Sequence, residues 1–157
     1  MPFKVVRPSA DTCPIVQTFD GDILDTYAAH VKLKPVSVEY CSGFFAGKGN
    51  VEVDEGGTRL QIRASSSHYW TLVGMRERLG GRVNANYPRA GKRPSWIWLV
   101  TARPDALKAI DRLLTTSIRD QKQRQLEIAR DLLTRTLRAD RRKALYREFK
   151  RLKMRSR

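Results

Sequence analysis

The side chains with the clearest capacity for chemistry in this sequence are its cations. Thirty-one Lys and Arg residues oppose 16 Asp and Glu residues over 157 positions, which gives a net charge of +15. From residue 119 to residue 157 alone, the chain carries 15 basic and five acidic residues. A cationic surplus of this size in a small protein indicates a polyanionic partner.

The C-terminal part of this surplus predicts contacts with phosphates. Release of counterions from a nucleic-acid backbone would explain a strongly basic helix without any reading of base sequence. An exposed helix that only keeps the protein soluble is the alternative. The candidate contacts in this tail are Arg141, Arg142, Lys143, Arg147, Lys150 and Arg151.

Metal and redox chemistry have no comparable support. Cys13 and Cys41 show neither a disulfide pattern nor a metal-binding spacing, and His30 and His68 have no partners at ligand spacing. We therefore predict no metal and no cofactor.

The sequence also predicts no membrane partner. No apolar run approaches the roughly 20 residues that a spanning helix needs. The first 15 residues have neither the apolar core of a signal peptide nor the composition of a transit peptide. We expect an intracellular protein, with an organelle such as the mitochondrion left open.

Hydrophobic periodicity and turn residues predict alternating helices and hairpins from residue 36 onward. Residues 20–34 form a further helix in one of two readings, and an irregular lead-in in the other. The predicted helices are 38–47, 66–79 with Ser66 or Ser67 as its cap, 104–116, 120–137 and 140–152. The predicted strands are 50–54 and 58–64, joined by a turn at Glu55-Gly56-Gly57, and then 82–87 and 95–101.

Four segments in this order resemble the LAGLIDADG homing endonuclease family. The stretch from Cys41 to Asn50, CSGFFAGKGN, is similar to the family's motif helix and its end. The segments LGGRV at 79–83, WIWLV at 96–100 and KQRQLEIA at 122–129 are similar to a helix-to-strand junction, the fourth strand and a later helix of the family. The resemblance covers residues 36 to 133. It implies an α+β fold with the order αββαββα, here followed by additional C-terminal basic helices.

The resemblance also locates the position where this sequence departs from the family's chemistry. In the family, an acidic residue at the end of the motif helix reaches a divalent metal and the scissile phosphates. Such metals need anionic oxygen ligands to clamp the oxygens of a phosphodiester. The matching position here is Lys48, and the motif's other acidic position is Ala46. A lysine cannot bind Mg²⁺, so we expect an endonuclease-derived protein that is not an active enzyme.

A second active-site position depends on the alignment register. The family's active-site lysine corresponds to Lys122 if Gln125 is the paired glutamine, and to Asp120 after a small shift. Lys122 is therefore a possible catalytic remnant and a candidate contact with nucleic acid.

The family binds DNA with a saddle made from two hairpins, which implies a matching surface here. Alternation along the second strand places Arg59, Gln61 and Arg63 on the face opposite Val51, Val53, Leu60 and Ile62. The full candidate set on the saddle is Arg59, Gln61, Arg63, Arg82, Asn84, Trp96 and Trp98. Exposed tryptophans would stack on unpaired bases. The alternative places both tryptophans in the core, with Ile97 and Leu99 outside.

Small residues on the motif helix predict close packing against another helix. Ser42, Gly43, Ala46 and Gly47 would let two backbones approach, at a cost in helix propensity of about 1 kcal/mol for each glycine. The partner is a second copy of this chain or another protein. In a symmetric dimer the two Lys48 side chains would repel each other, so we expect weak dimerisation without a polyanion.

These observations predict three parts of the chain and three candidate functions. The parts are an N-terminal extension at 1–35, a nucleic-acid-binding domain at 36–137 and a basic C-terminal helix or tail at 138–157. The first function is binding of structured RNA within a ribonucleoprotein such as an organellar ribosome, or as a maturase-like splicing factor. The second is a DNA-binding homing endonuclease, active or recently decayed, and the third is a protein–protein module. RNA is favoured over DNA as the partner.

Overall fold

The computed structural model describes residues 36–86, 95–116, 118 and 120–155. The predicted helix at 20–34, Cys13, His30 and the loop at 88–94 lie outside these residues. The helices are α1 (Val38–Lys48), α2 (Tyr69–Leu79), α3 (Arg103–Leu114), α4 (Asp120–Thr134) and α5 (Ala139–Arg155). The strands are β1 (Gly49–Val53), β2 (Leu60–Ser66), β3 (Arg82–Asn86) and β4 (Ser95–Val100). The fold is α+β, and the predicted order αββαββα is confirmed.

The four strands form one antiparallel sheet with the order β1-β2-β4-β3. Side chains alternate across the sheet, so one face is apolar and packs against the helices. On this inner face, Val51, Ile62, Val83, Trp98 and Val100 are all at most 2% exposed. The alternation predicted for β1 and β2 is confirmed, because Val51, Val53, Leu60 and Ile62 share this inner face.

Local signals set the ends of α1 and α2. The Ser37 side chain accepts a hydrogen bond from the backbone N–H of Tyr40, which caps the start of α1. Gly80 and Gly81 have φ angles of 80° and 86°, a conformation that favours glycine, and they end α2 as predicted.

The predicted serine cap of α2 is wrong. Ser66 is the last residue of β2, and its hydroxyl accepts a hydrogen bond from the backbone N–H of His68 at 2.9 Å. His68 is the N-cap of α2 and provides no side-chain cap. β2 ends at Ser66, beyond the predicted end at residue 64, because it also pairs with β4, up to Ser66 opposite Trp96.

The C-terminal helix α5 packs on the rest of the fold. Leu145 and Phe149, 3% and 1% exposed, belong to the same apolar core as the sheet and α4. The predicted stripe of Leu145, Phe149 and Leu152 is therefore the packing face of α5. Lys153 Nζ donates to the Val51 carbonyl oxygen of edge strand β1 at 3.0 Å.

Candidate nucleic-acid interface

The outer face of the sheet carries two rows of side chains in register. Asn50 pairs with Arg63, Arg63 with Leu99, and Leu99 with Arg82, so this row crosses all four strands. The neighbouring row runs from Ser65 through Ile97 to Asn84. Because residues opposite each other in a sheet project to the same side, both rows face away from the helices.

Each predicted polar residue of the saddle lies on or beside this outer face. Gln61, Arg63 and Asn84 are partly exposed within their strands, and Arg82 is exposed at the start of β3. Arg59 is exposed directly before β2, because the observed strand begins at Leu60 and not at residue 58 as predicted. The structure thus brings Gln61, Arg63, Arg82 and Asn84 to one side of the sheet, with Ile97 and Leu99 between the strands that carry them, whereas Arg59 lines a depression shared with α5.

The prediction that Trp96 and Trp98 are exposed is wrong. They are 7% and 0% exposed, on the inner face of β4. The Trp98 ring meets the Phe45 ring edge-on with centroids 6.5 Å apart, and its Nε1 donates to the Gly80 carbonyl oxygen at 2.8 Å. The Trp96 ring lies 5.6 Å from the Tyr69 ring. The alternative reading, with Ile97 and Leu99 outside, is the observed one, so neither tryptophan can stack on a base.

Ion pairs occupy part of the cationic surface. Arg63 donates to the Glu52 carboxylate at 3.0 Å, and Lys153 Nζ lies 3.9 Å from the same group. Both side chains of the Arg63–Glu52 pair remain more than 40% exposed, so water screens the attraction and its net contribution is about 0–1 kcal/mol. Within the described part of the chain, Arg59 and Arg82 form no ion pair.

The end of α1, where the family resemblance places a metal-binding carboxylate, is cationic. Lys48 is exposed at the last helical position, where a positive charge interacts favourably with the helix dipole. Lys122 of α4 donates from Nζ at 2.8 Å to the carbonyl oxygen of Gly49, the residue that follows Lys48. Burial first, and repulsion from Lys153 second, lower the pKa of Lys122 below its ordinary value. Among the described residues, no three His, Cys, Asp or Glu side chains come together in a cluster that could hold a metal.

The small residues of α1 point in two directions. Ser42 is 2% exposed, and its hydroxyl donates to the Leu113 carbonyl oxygen of α3 at 3.2 Å, so it packs against a helix of the same chain and not against a second copy or another protein. Gly43 and Gly47 are exposed, and a Cβ atom added at either position would meet nothing within 4 Å. Ala46 is partly buried beside them. The open face of α1 is therefore centred on the two glycines.

Helix α5 presents a second cationic surface. Eight basic and two acidic residues give this helix a net charge of +6. Its exposed predicted contacts, named here the α5 cations, are Arg141, Lys143, Arg147, Lys150 and Arg151.

Arg142, the sixth predicted contact in the tail, has a structural role. Its guanidinium is partly buried and donates to the carbonyl oxygens of Glu55, Leu132 and Arg135 at 3.2, 3.1 and 3.4 Å. It thereby joins the β1–β2 turn to the end of α4. The phosphate contact at Arg142 stays a prediction, and these bonds give the side chain a structural role that its local sequence does not indicate.

Sequence reasoning missed three residues that border the outer face. Asn50, Ser65 and Ile97 line one depression together with Lys48 and Arg63. The alternating pattern of β2 extends to Ser65 and could have indicated that residue. No local sequence pattern indicates that Lys48 lines the same depression. It lies there because the chain turns from α1 directly into β1.

Comparisons with known proteins return similarity in structure only. No protein-family model matches the sequence, and no curated protein sequence does. The homing endonuclease I-TnaI matches 74% of this chain and 99% of its own, with 12% identity and a TM-score of 0.42. The homing endonuclease I-CvuI, crystallised with DNA that it had not cleaved, matches 71% of this chain and 93% of its own, with 14% identity and a TM-score of 0.42. These values describe a loose likeness in backbone path, from which nothing about activity follows.

None of the helices in the described residues combines the length and apolarity of a membrane-crossing segment.

Proposed function

We propose that this protein binds nucleic acid and does not cut it. The observation that carries the proposal is the row from Asn50 through Arg63 and Leu99 to Arg82, which sets donors and cations across the whole outer face of the sheet. Guanidinium groups bind phosphates and base edges, and amide side chains bind base edges. A face with this composition suits a nucleic-acid backbone better than it suits a protein core or a lipid surface.

The absence of cutting is inferred from the residues at the end of α1. Lys48 replaces the carboxylate that the family resemblance calls for, and an ammonium group repels a divalent cation. The nearest carboxylate on the outer face, Glu52, is paired with Arg63. The described residues contain no cluster of three His, Cys, Asp or Glu side chains to hold the metals of a two-metal hydrolysis.

We favour structured RNA in a ribonucleoprotein, such as an organellar ribosome, as the partner. Two cationic surfaces of the described residues support this choice, namely the outer face of the sheet with Arg63 and Arg82, and the α5 cations. A folded RNA can place phosphates against both surfaces at once, and such contacts need no reading of base sequence. The burial of Trp96 and Trp98 removes base stacking by these residues from the support for RNA.

The identity of the partner is tested by isolating the protein from its source at low salt and sequencing the nucleic acid that accompanies it. Stoichiometric ribosomal or other structured RNA is the expected result. Discrete double-stranded DNA sites would overturn the RNA assignment and favour a homing endonuclease lineage that still reads DNA. Recovery of proteins alone, unaffected by high salt, would overturn nucleic-acid binding itself.

The open face of α1 supports a second contact, with a second copy of this chain or with another protein. Gly43 and Gly47 leave room for a backbone to approach, and Tyr40, 49% exposed, borders them. The substitution Gly43→Leu would fill this face, and its Cβ atom would meet nothing within 4 Å. We expect it to abolish self-association or partner binding in sedimentation velocity without lowering the melting temperature, because leucine also removes the helix-propensity cost of the glycine. A tight, salt-insensitive dimer in the absence of a polyanion would contradict the weak dimerisation that we propose.

A further inference from the structure

A shallow depression lies on the outer face of the sheet beside the end of α1. Its volume is about 290 Å³, and its lining residues are Lys48, Asn50, Arg63, Ala64, Ser65 and Ile97. The register explains this group, because Asn50 lies opposite Arg63 and Ser65 lies opposite Ile97. Lys48 reaches the group because β1 begins at Gly49, directly after α1 ends.

The charge of this depression has one sign. Its lining contains two cationic side chains and no carboxylate. A larger depression between the β1–β2 hairpin and α5 contains Lys150 and Lys153, but also Glu52 and Asp54. The smaller depression is therefore the one of the two whose lining contains cations and no carboxylate, although Glu52 pairs with Arg63 at its border.

The two cationic donors in this depression are available to a ligand, whereas the Asn50 amide donates to Glu52 at 3.1 Å. Lys48 is exposed and forms no ion pair within the described part of the chain. Arg63 gives one guanidinium nitrogen to Glu52 at 3.0 Å, and its side chain is still 42% exposed. Two neighbouring cations repel each other, and an anion between them turns this repulsion into attraction.

We infer that this depression is a phosphate subsite in which Lys48 and Arg63 hold one backbone phosphate directly, without a divalent metal. Ser65 adds a hydroxyl donor at the same rim, and Ile97 offers an apolar contact to the adjoining sugar. The inference deepens the proposed function and rests on it, since the phosphate belongs to the bound nucleic acid. In this role Lys48 binds the phosphate with its own positive charge, at the end of the helix where the family resemblance places a carboxylate that binds a metal.

The experiment compares Lys48→Gln with Lys108→Gln, a matched loss of one exposed lysine on α3 in the helical layer. Binding of a fluorescein-labelled B-DNA duplex and of a labelled RNA hairpin is measured by anisotropy in EDTA over a range of salt. Loss of one phosphate contact lowers the salt slope for the duplex by about 0.9, which corresponds to roughly an eightfold weaker affinity at 0.1 M salt. We expect this loss for Lys48→Gln, retention of affinity for Lys48→Arg, and little change for Lys108→Gln.

A double-mutant cycle tests whether the two cations share one phosphate. If they do, Arg63→Gln combined with Lys48→Gln weakens binding by less than the product of the two single losses. Equal behaviour of Lys48→Gln and Lys108→Gln, or binding by the unmodified protein that requires Mg²⁺, would overturn the subsite. Failure of the unmodified protein to bind either probe would instead overturn the proposed function.

Discussion

Replacing Phe149 with alanine should weaken the docking of helix α5 on the domain. Phe149 is 1% exposed, and with Leu145 it provides the buried apolar contacts of this helix. Truncation of a buried phenylalanine to alanine costs about 3–5 kcal/mol, from lost burial and from the cavity left behind. That cost is a large share of the roughly 5–15 kcal/mol that stabilises a domain.

Polar contacts also anchor α5, but none of them fills the space that the ring leaves. Lys153 donates to Val51, Gln121 donates to the Leu152 carbonyl oxygen at 2.5 Å, and Arg142 donates to Glu55. Each such bond contributes about 0.5–1.5 kcal/mol net, or somewhat more when the donor is charged, and each is lost when the helix leaves. We therefore expect Phe149→Ala to raise the population of the state in which α5 is undocked, while the sheet and the other helices stay folded.

Limited proteolysis with trypsin measures this opening, because α5 contains eight Lys and Arg residues that a docked helix protects. When cleavage is slow relative to closing, its rate follows the population of the open state. A loss of 3–5 kcal/mol then raises that rate by roughly two to three and a half orders of magnitude. Met154→Ala is the matched control, since Met154 lies on the same helix and is 79% exposed.

The reasoning would be refuted if Phe149→Ala and Met154→Ala were cleaved at the same rate as the unmodified protein. A result in which the unmodified protein loses α5 to trypsin unless nucleic acid is present would also contradict it. The basic helix would then be ordered by its polyanion, and not by the apolar core.

Three further perturbations test other parts of the structure. Burial raises the pKa of the Cys41 thiol to about 11, so Cys41 should resist a thiol reagent at pH 8 in the folded protein and react once urea unfolds it; equal rates in both states would contradict the burial. Gly57→Ala should lower the free energy of unfolding in urea by about 2 kcal/mol or more, because Gly57 has a φ of 66° and an added Cβ would lie 2.4 Å from a backbone oxygen of α4. The control Gly56→Ala should leave the free energy of unfolding nearly unchanged. Hydrogen bonds from Arg124 lower the pKa of Glu148. This partly exposed pair therefore stabilises the fold at pH values above the ordinary carboxylate pKa, and the stabilisation is lost as the pH falls through the lowered pKa of Glu148. A double-mutant cycle should give a coupling of at most about 1 kcal/mol at pH 7 and none in acid, and a coupling that persists in acid would count against the pair.

Elements with a local signature could be predicted from the sequence. The turn at Glu55-Gly56-Gly57 set the hairpin, and the alternation of Leu60 and Ile62 with Gln61 and Arg63 assigned the two faces of β2 correctly. The pair Gly80-Gly81 marked the end of α2. In each case neighbouring residues carry the physical constraint, so a single sequence contains it.

Properties that depend on distant contacts could not be predicted in this way. The segment from Trp96 to Val100 is apolar at every position, so alternation could not say which side faces inward. Contacts of Trp98 with Phe45 and Gly80 decide that orientation. Arg142 resembles its basic neighbours in sequence, and only the fold reveals that it binds backbone carbonyl groups.

The measurement that tests the central claim most directly is a salt titration of binding to a labelled B-DNA duplex in EDTA, for the unmodified protein and for Arg82→Gln. Arg82 is exposed at the end of the row that crosses the sheet and forms no ion pair among the described residues. We predict a steep linear fall of the logarithm of the binding constant with the logarithm of salt, and a slope that is smaller by about 0.9 in Arg82→Gln. A binding constant that does not change with salt, or identical slopes for the two proteins, would contradict the account.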